Sequence, residues 1–304
     1  MITKILRNFF LHVSKNTLLN KAAKLWGLKL GASQVVAGDN IDSMVNRVKA
    51  LNEKGFVCTL DHLGEFVNNI DEAMEATNHN IKTLEVIEKE KLDSQLSVKL
   101  TQLGMDIDRD FCVQNMYRIL TVAKNHQIFV TIDMEDYDHC QLTIDILKEL
   151  RKNYKNVGTV IQAYLFCSVQ DVKELKGVPL RLVKGAYRES SEVAFQDKKS
   201  IDENFFHLIK THLLSRSFTA IATHDHRIIA RVKEFVNENS ISFDQFEFQM
   251  LYGFRKDLQH ELIKEGYQMR IYVPYGKDWF AYYMRRLAER PQNISFALKG
   301  LFLK

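Results

Sequence analysis

Proline is scarce in this chain, at three of 304 residues, and no Pro-rich or Ser-rich stretch marks a linker. The thirteen glycines fall singly, with no GxGxxG and no GxxxxGK[ST], which counts against a dinucleotide-binding open sheet and against a P-loop. The four cysteines, Cys58, Cys112, Cys140 and Cys167, lie far apart without a CxxC pair, so a disulfide framework and a zinc ribbon are both disfavoured. No apolar run approaches the roughly 18 residues of a membrane span, and no small-residue cleavage signal follows an apolar stretch. Charge of one sign is also missing: 42 Lys and Arg are scattered among 38 Asp and Glu for a net +4, which argues against a nucleic-acid partner.

The exception to that mixing is the N-terminus. Residues 1–38 carry six Lys or Arg and no acid, and Ile5, Phe9, Val13, Leu18, Ala22 and Leu25 keep helical spacing. The favoured reading is a helix packed on the main domain with its lysines in water; the alternative is a basic amphipathic helix on an anionic membrane surface. The expected division is therefore a helical extension over residues 1–50 and a main domain over 51–304, in the cytoplasm or peripheral at the inner face of its membrane.

Beyond residue 55 short apolar or β-branched runs alternate with amphipathic helical stretches. The runs are 56–61, 97–101, 128–134, 158–164, 179–187, 218–225, 246–251 and 270–276. Strands alternating with helices imply a parallel sheet, and this number of units over about 250 residues matches an α/β fold of the (β/α)8 TIM-barrel type. Chemistry in such barrels sits at the C-terminal strand ends. Here those ends read Asp61, Lys99, Asp133, Gln162, Arg181 with Lys184, Thr223 with His224, and Tyr272. Polar groups at buried ends are costly unless they bind something, so a large polar ligand across the mouth is expected.

Three constellations stand out. In "ATHDH" (222–226), His224 and His226 with Asp61 or Asp133 could hold the metal of a barrel hydrolase, although a single HxH is a weak signal. In "RLVKGAY" (181–187), two cations precede a glycine that admits close backbone approach, which suits an anionic or electron-rich ligand or, equally, a salt-bridged strand end. In "YYMRRLAE" (282–289), helical geometry gathers Tyr282, Arg285, Arg286 and Glu289 within about 100° of one face. An arginine pair is usually solvated; this pair directly follows a strand end, and the arginine fork matches a carboxylate.

Taken in order, "TLDHLGE" (59–65), "VKLTQLG" (98–104), "IDMED" (132–136), "IQAYL" (161–165), "RLVKGAY" (181–187), "ATHD" (222–225), "QMLYG" (249–253), "YVPYG" (272–276) and "YYMRRLAE" resemble the proline dehydrogenases, most closely the small monofunctional bacterial form. The resemblance implies a distorted (β/α)8 barrel whose last helix lies over the mouth, and oxidation of L-proline to Δ1-pyrroline-5-carboxylate with FAD and a quinone acceptor. It implies that Arg285 and Arg286 grip the substrate carboxylate with help from Lys99, that Glu289 holds the arginines, and that Tyr187, Leu251, Tyr272 and Tyr282 surround the ring. It places FAD against Met134, Gln162, Arg181, Lys184, Gly185, Ala186, Thr223 and His224, assigns Asp133 and Arg181 to the catalytic network, and makes Glu65 a gate. Asp225, where the pattern often has Asn, and Arg188, where it often has Trp, depart from it.

Overall fold

Runs of Val, Ile, Leu and Thr pair edge to edge because their branched side chains pack on both faces of a buried parallel sheet. In the computed structural model, which describes residues 9, 10, 12, 13, 16, 19, 32–64 and 66–289, they close into a barrel of eight parallel strands. These are β1 (Val57–His62), β2 (Ser94–Val98), β3 (Val130–Ile132), β4 (Val157–Gln162), β5 (Leu180–Val183), β6 (Thr219–Ala222), β7 (Phe246–Leu251) and β8 (Met269–Tyr275). β8 pairs back onto β1, so no edge is left open.

The helices are α1 (Ile41–Asn52), α2 (Ile70–Lys89), α3 (Arg109–Asn125), α4 (Tyr137–Leu150), α5 (Ser168–Glu174), α6 (Lys198–Leu214), α7 (His226–Glu238), α8 (Lys256–Lys264) and α9 (Trp279–Glu289). Asn40, Asn69, Asp108, Asp197 and Asp225 each accept a backbone N–H from the first turn of the helix that follows, which fixes where α1, α2, α3, α6 and α7 begin.

Strand register sorts the side chains. Thr59 pairs with Gln95 and Tyr272, Asp61 with Ser97, Ser97 with Thr131, Arg181 with Val160 and Ala220, and Arg270 with Gln249. Register partners share a face, so this mostly polar set occupies the barrel interior, while Leu60, Leu96, Val130, Leu180 and Leu182 pack outward under the helices as the main core. At the bottom Arg270 Nε meets Glu247 Oε1 at 2.7 Å and its Nη1 donates to the Cys58 carbonyl at 2.7 Å.

Most strands are shorter than the expected runs, β5 covering 180–183 of 179–187 and β3 130–132 of 128–134, and one is shifted. β2 covers 94–98, not 97–101; Lys99 lies just past the strand, and Thr101–Leu103 forms a short 3-10 turn. α1 runs across residue 50, and its Met44, Val45 and Val48 join the barrel core. Phe10 and Val13 pack against a second apolar cluster; most of the remaining N-terminal helix expected from spacing lies outside the described residues. Among the described residues no helix is long and apolar enough to cross a membrane.

α9 packs differently from the other helices. Its Trp279, Tyr282, Tyr283, Met284 and Leu287 form that separate cluster with Ala32, Val36 and Leu63, the last just beyond the C-terminal end of β1. The helix is thereby held at the barrel mouth.

Candidate active site

The strand ends converge on one ion network. Asp133, immediately after β3, accepts from Ser97 Oγ at 2.6 Å, Lys99 Nζ at 3.0 Å, Arg181 Nη1 at 2.7 Å and the Tyr272 hydroxyl at 2.7 Å. Burial would raise this carboxyl, but Lys99 and Arg181, together with the hydroxyl donors, hold its pKa down to about 2. Lys99 also reaches Asp61 at 3.2 Å. Burial, the largest influence, pushes Asp61 above the ordinary carboxylate range despite that ammonium. Tyr272 is pushed well up, first by burial and then by the nearby Asp133 and Asp61 charges, so its hydroxyl stays protonated as a donor. The Arg181 guanidinium lies 5.1 Å from the Tyr272 ring centroid. Its Nη1 is spent on Asp133 and Ser97, whereas its buried Nε and Nη2 have no hydrogen-bond partner among the described residues.

Above this floor a cavity of about 1360 Å³ extends from the ends of β4, β5 and β6 to α9. Its lining includes Lys99, Asp133, Tyr272, Leu251 and Tyr187 at the centre, and Tyr282, Arg285 and Arg286 from α9. The Arg286 guanidinium sits 5.1 Å from the Tyr282 ring centroid. Met134, Gln162, Arg181, Lys184, Gly185, Ala186, Thr223 and His224 line the same cavity, so every expected site residue whose side chain is described is gathered there. Glu65 lies outside the described residues, and α9 ends at Glu289, whose side chain is likewise not described.

Several of these residues are held by neighbours that local sequence gives no sign of. Gln162 Nε2 donates to the Glu135 carbonyl at 2.8 Å, while the Glu135 carboxylate accepts from Thr101 N and Thr101 Oγ1. Lys184 directly follows β5, and its ammonium meets Asp202 at 2.5 Å and Asp225 at 3.0 Å. Lys184 therefore enters the site already paired, and Asp202 on α6 is far from it in sequence. Asp225 is held well below the ordinary carboxylate range; burial opposes this, and Lys184 outweighs it. Gly185 has φ +112°, and a Cβ there would sit 2.2 Å from the Tyr164 ring, so only glycine fits.

His224 Nε2 accepts the Leu251 N–H at 3.0 Å, which leaves the proton of the neutral ring on Nδ1. That bond occupies the nitrogen a metal would need, and His226 is exposed at the start of α7. Among the described residues no three His, Cys, Asp or Glu side chains gather as a metal-binding group. The metal-hydrolase alternative therefore lacks its ligand set.

A family model for proline dehydrogenase matches residues 44–299. The chain belongs to the proline dehydrogenase family. It is 49% identical to proline dehydrogenase 2 of Bacillus subtilis (strain 168), over 99% of this chain and 100% of that one. It is 39% identical to proline dehydrogenase of Deinococcus radiodurans, over 99% of each. A crystal structure of proline utilization A from Bdellovibrio bacteriovorus inactivated by N-propargylglycine superposes with a TM-score of 0.81 at 28% identity, covering 90% of this chain. The chain spans about a third, 34%, of that longer protein. The family's barrel is thus the fold seen here, and the proline-oxidising class of oxidoreductase replaces the hydrolase alternative.

Proposed function

We propose that the chain oxidises L-proline to Δ1-pyrroline-5-carboxylate at bound FAD and passes the electrons to a quinone. The observation that carries this reading is the meeting of the α9 arginines with the Lys99–Asp133–Arg181 floor across one cavity. The donor set fits a flavin: buried Arg181 Nε and Nη2 have no hydrogen-bond partner among the described residues, and Gly185, which lines the same cavity, bares its backbone there. FAD, when bound, would supply the acceptor for the hydride leaving C5 of proline.

Arg285 and Arg286 orient the substrate through its carboxylate, which suits their planar forks. Lys99 adds positive charge, and Asp61 and Asp133 keep that ammonium in place. Tyr187, Leu251, Tyr272 and Tyr282 wall the ring; at about 0.8 kcal/mol per buried CH₂ the small ring supplies less orientation than the ionic grip. Arg181 would stabilise negative charge accumulating at the cofactor, and Met134, Gln162, Lys184, Ala186 and Thr223 complete its bed. Glu289 would brace the arginines and Glu65 would close the mouth. The exposed Phe9 and Leu19 beside the basic N-terminus support a further proposal, peripheral contact with a membrane holding the quinone, checked by liposome flotation with and without residues 1–30.

The test is anaerobic addition of L-proline to purified yellow protein. Bleaching of the flavin band with one product formed per flavin is expected; a spectrum that does not change would remove the assignment.

A further inference from the structure

The segment between β5 and α6, residues 184–197, runs along the cavity without strand or helix apart from one bridge of Ala194 to Leu165. An irregular stretch gives up conformational entropy to keep one shape, so what holds it matters. Its far half is fixed by backbone: Phe166 N donates to the Val193 carbonyl at 3.0 Å and Phe195 N to the Tyr164 carbonyl at 2.8 Å, and Ala194 is buried. Its near half, Gly185 to Arg188, lines the cavity. The residue that opens the segment and the residue that follows it are both lysines, and their ammoniums meet the same two carboxylates. Lys184 Nζ lies 2.5 Å from Asp202 Oδ1 and 3.0 Å from Asp225 Oδ2; Lys198 Nζ pairs with Asp202 Oδ2 and lies 3.3 Å from Asp225 Oδ2. Asp202 belongs to α6 and Asp225 caps α7, so four charges from three elements pinch the base of the segment shut.

The four members are not equally placed. The side chains of Asp202 and Asp225 are 17% and 20% exposed, whereas that of Lys198 is 74% exposed. Two carboxylates sharing the Lys184 ammonium alone would repel each other, and Lys198 balances them from the solvent side. Water and salt weaken so exposed a hold, which makes Lys198 the member that can let go. We propose that Lys198 is a positioning residue that keeps Asp202 and Asp225 together on Lys184 and so keeps segment 185–188 against the bound cofactor. This rests on the function proposed above. In that role Lys198 governs how long the flavin stays in its bed rather than how fast proline reduces it.

The experiment compares full-length flavin-loaded wild type with Lys198→Met, Asp202→Asn, the two combined, and Lys198→Arg. Among the described residues the cavity lining includes Lys198 but not Asp202, so Asp202→Asn loosens the clasp without touching the cavity. Two rates are read on each protein: flavin release after dilution, followed by fluorescence, and cleavage by an arginine-specific protease after Arg188, which is exposed. Lys198→Met and Asp202→Asn should each raise both rates about three- to fivefold, and the combined variant should do no more than either alone. Lys198→Arg should stay near wild type, and about 1 M NaCl should speed release from wild type but hardly from Lys198→Met. Unchanged rates in both single variants would overturn the clasp. So would faster release in Lys198→Met alone, which would make Lys198 a direct contact of the flavin, and so would effects that multiply in the combined variant. Wild type that carries no flavin would sink the proposed function instead, and cleavage after Arg188 would still judge the clasp.

Discussion

The floor of the cavity and the helix above it are held by different forces. The floor is a buried ion network in which Asp61, Ser97, Lys99, Asp133, Arg181 and Tyr272 are each carried by a strand or the residue just after one. α9 rests instead on a compact apolar cluster with Ala32, Val36 and Leu63. Breaking a buried network leaves uncompensated charge, whereas a small apolar interface can part and re-form at much lower cost. The barrel therefore sets the electrostatics in advance, and the arginines sit on the more weakly held part of the molecule.

The largest effect should come from breaking the floor. Asp133→Ala strands Lys99 and Arg181 without their shared carboxylate, so we expect a loss of about 3–5 kcal/mol in unfolding free energy together with most turnover, read by denaturant melts and steady-state rates. Arg285→Met or Arg286→Met should instead raise the proline KM by two to three orders of magnitude, equivalent to about 2–5 kcal/mol, with little change in melting temperature. A melting loss as large as that of Asp133→Ala would erase the contrast between floor and cap.

Gly185→Ala should be milder. Forcing a side chain into φ +112° against Tyr164 costs about 1–3 kcal/mol, and flavin retention on gel filtration should fall while the proline KM of the loaded fraction holds. The last effect leaves neutral-pH behaviour unchanged and concerns the body of the barrel. His212 is buried with Nε2 donating to the Val178 carbonyl at 3.1 Å, and burial lowers its pKa to about 4; His62 is lowered to about 3, again chiefly by burial. The unfolded chain then binds protons that the folded chain refuses between about pH 6.5 and 4, so stability should fall as pH drops through that window, by up to about 1.4 kcal/mol per pH unit per histidine. His212→Gln should flatten the slope, as shown by melts across that range.

Much of this was legible in the residues. The β7 run was located to the residue, and polar strand ends among apolar runs marked the mouth, because strand alternation and burial act locally. β2 starts before its apolar run because its inward positions, Gln95 and Ser97, are polar in a barrel with a polar interior, so the strand start resembles a loop while "VKLT" resembles a strand. The pairing of Lys184 with Asp202 and the cluster under α9 were not legible, since each joins segments distant in the chain. The placement of α9 over the mouth is implied by the family resemblance alone; periodicity gives only a shared face for Tyr282, Arg285, Arg286 and Glu289.

The central claim is that the cap arginines recognise the substrate through its carboxylate. The most direct measurement is the ratio of kcat/KM for L-proline to that for pyrrolidine, which keeps the ring and lacks the acid group, in wild type and in Arg285→Met and Arg286→Met. The account predicts a wild-type preference for L-proline of at least two to three orders of magnitude that largely collapses in either variant. A preference that survives both substitutions would contradict it.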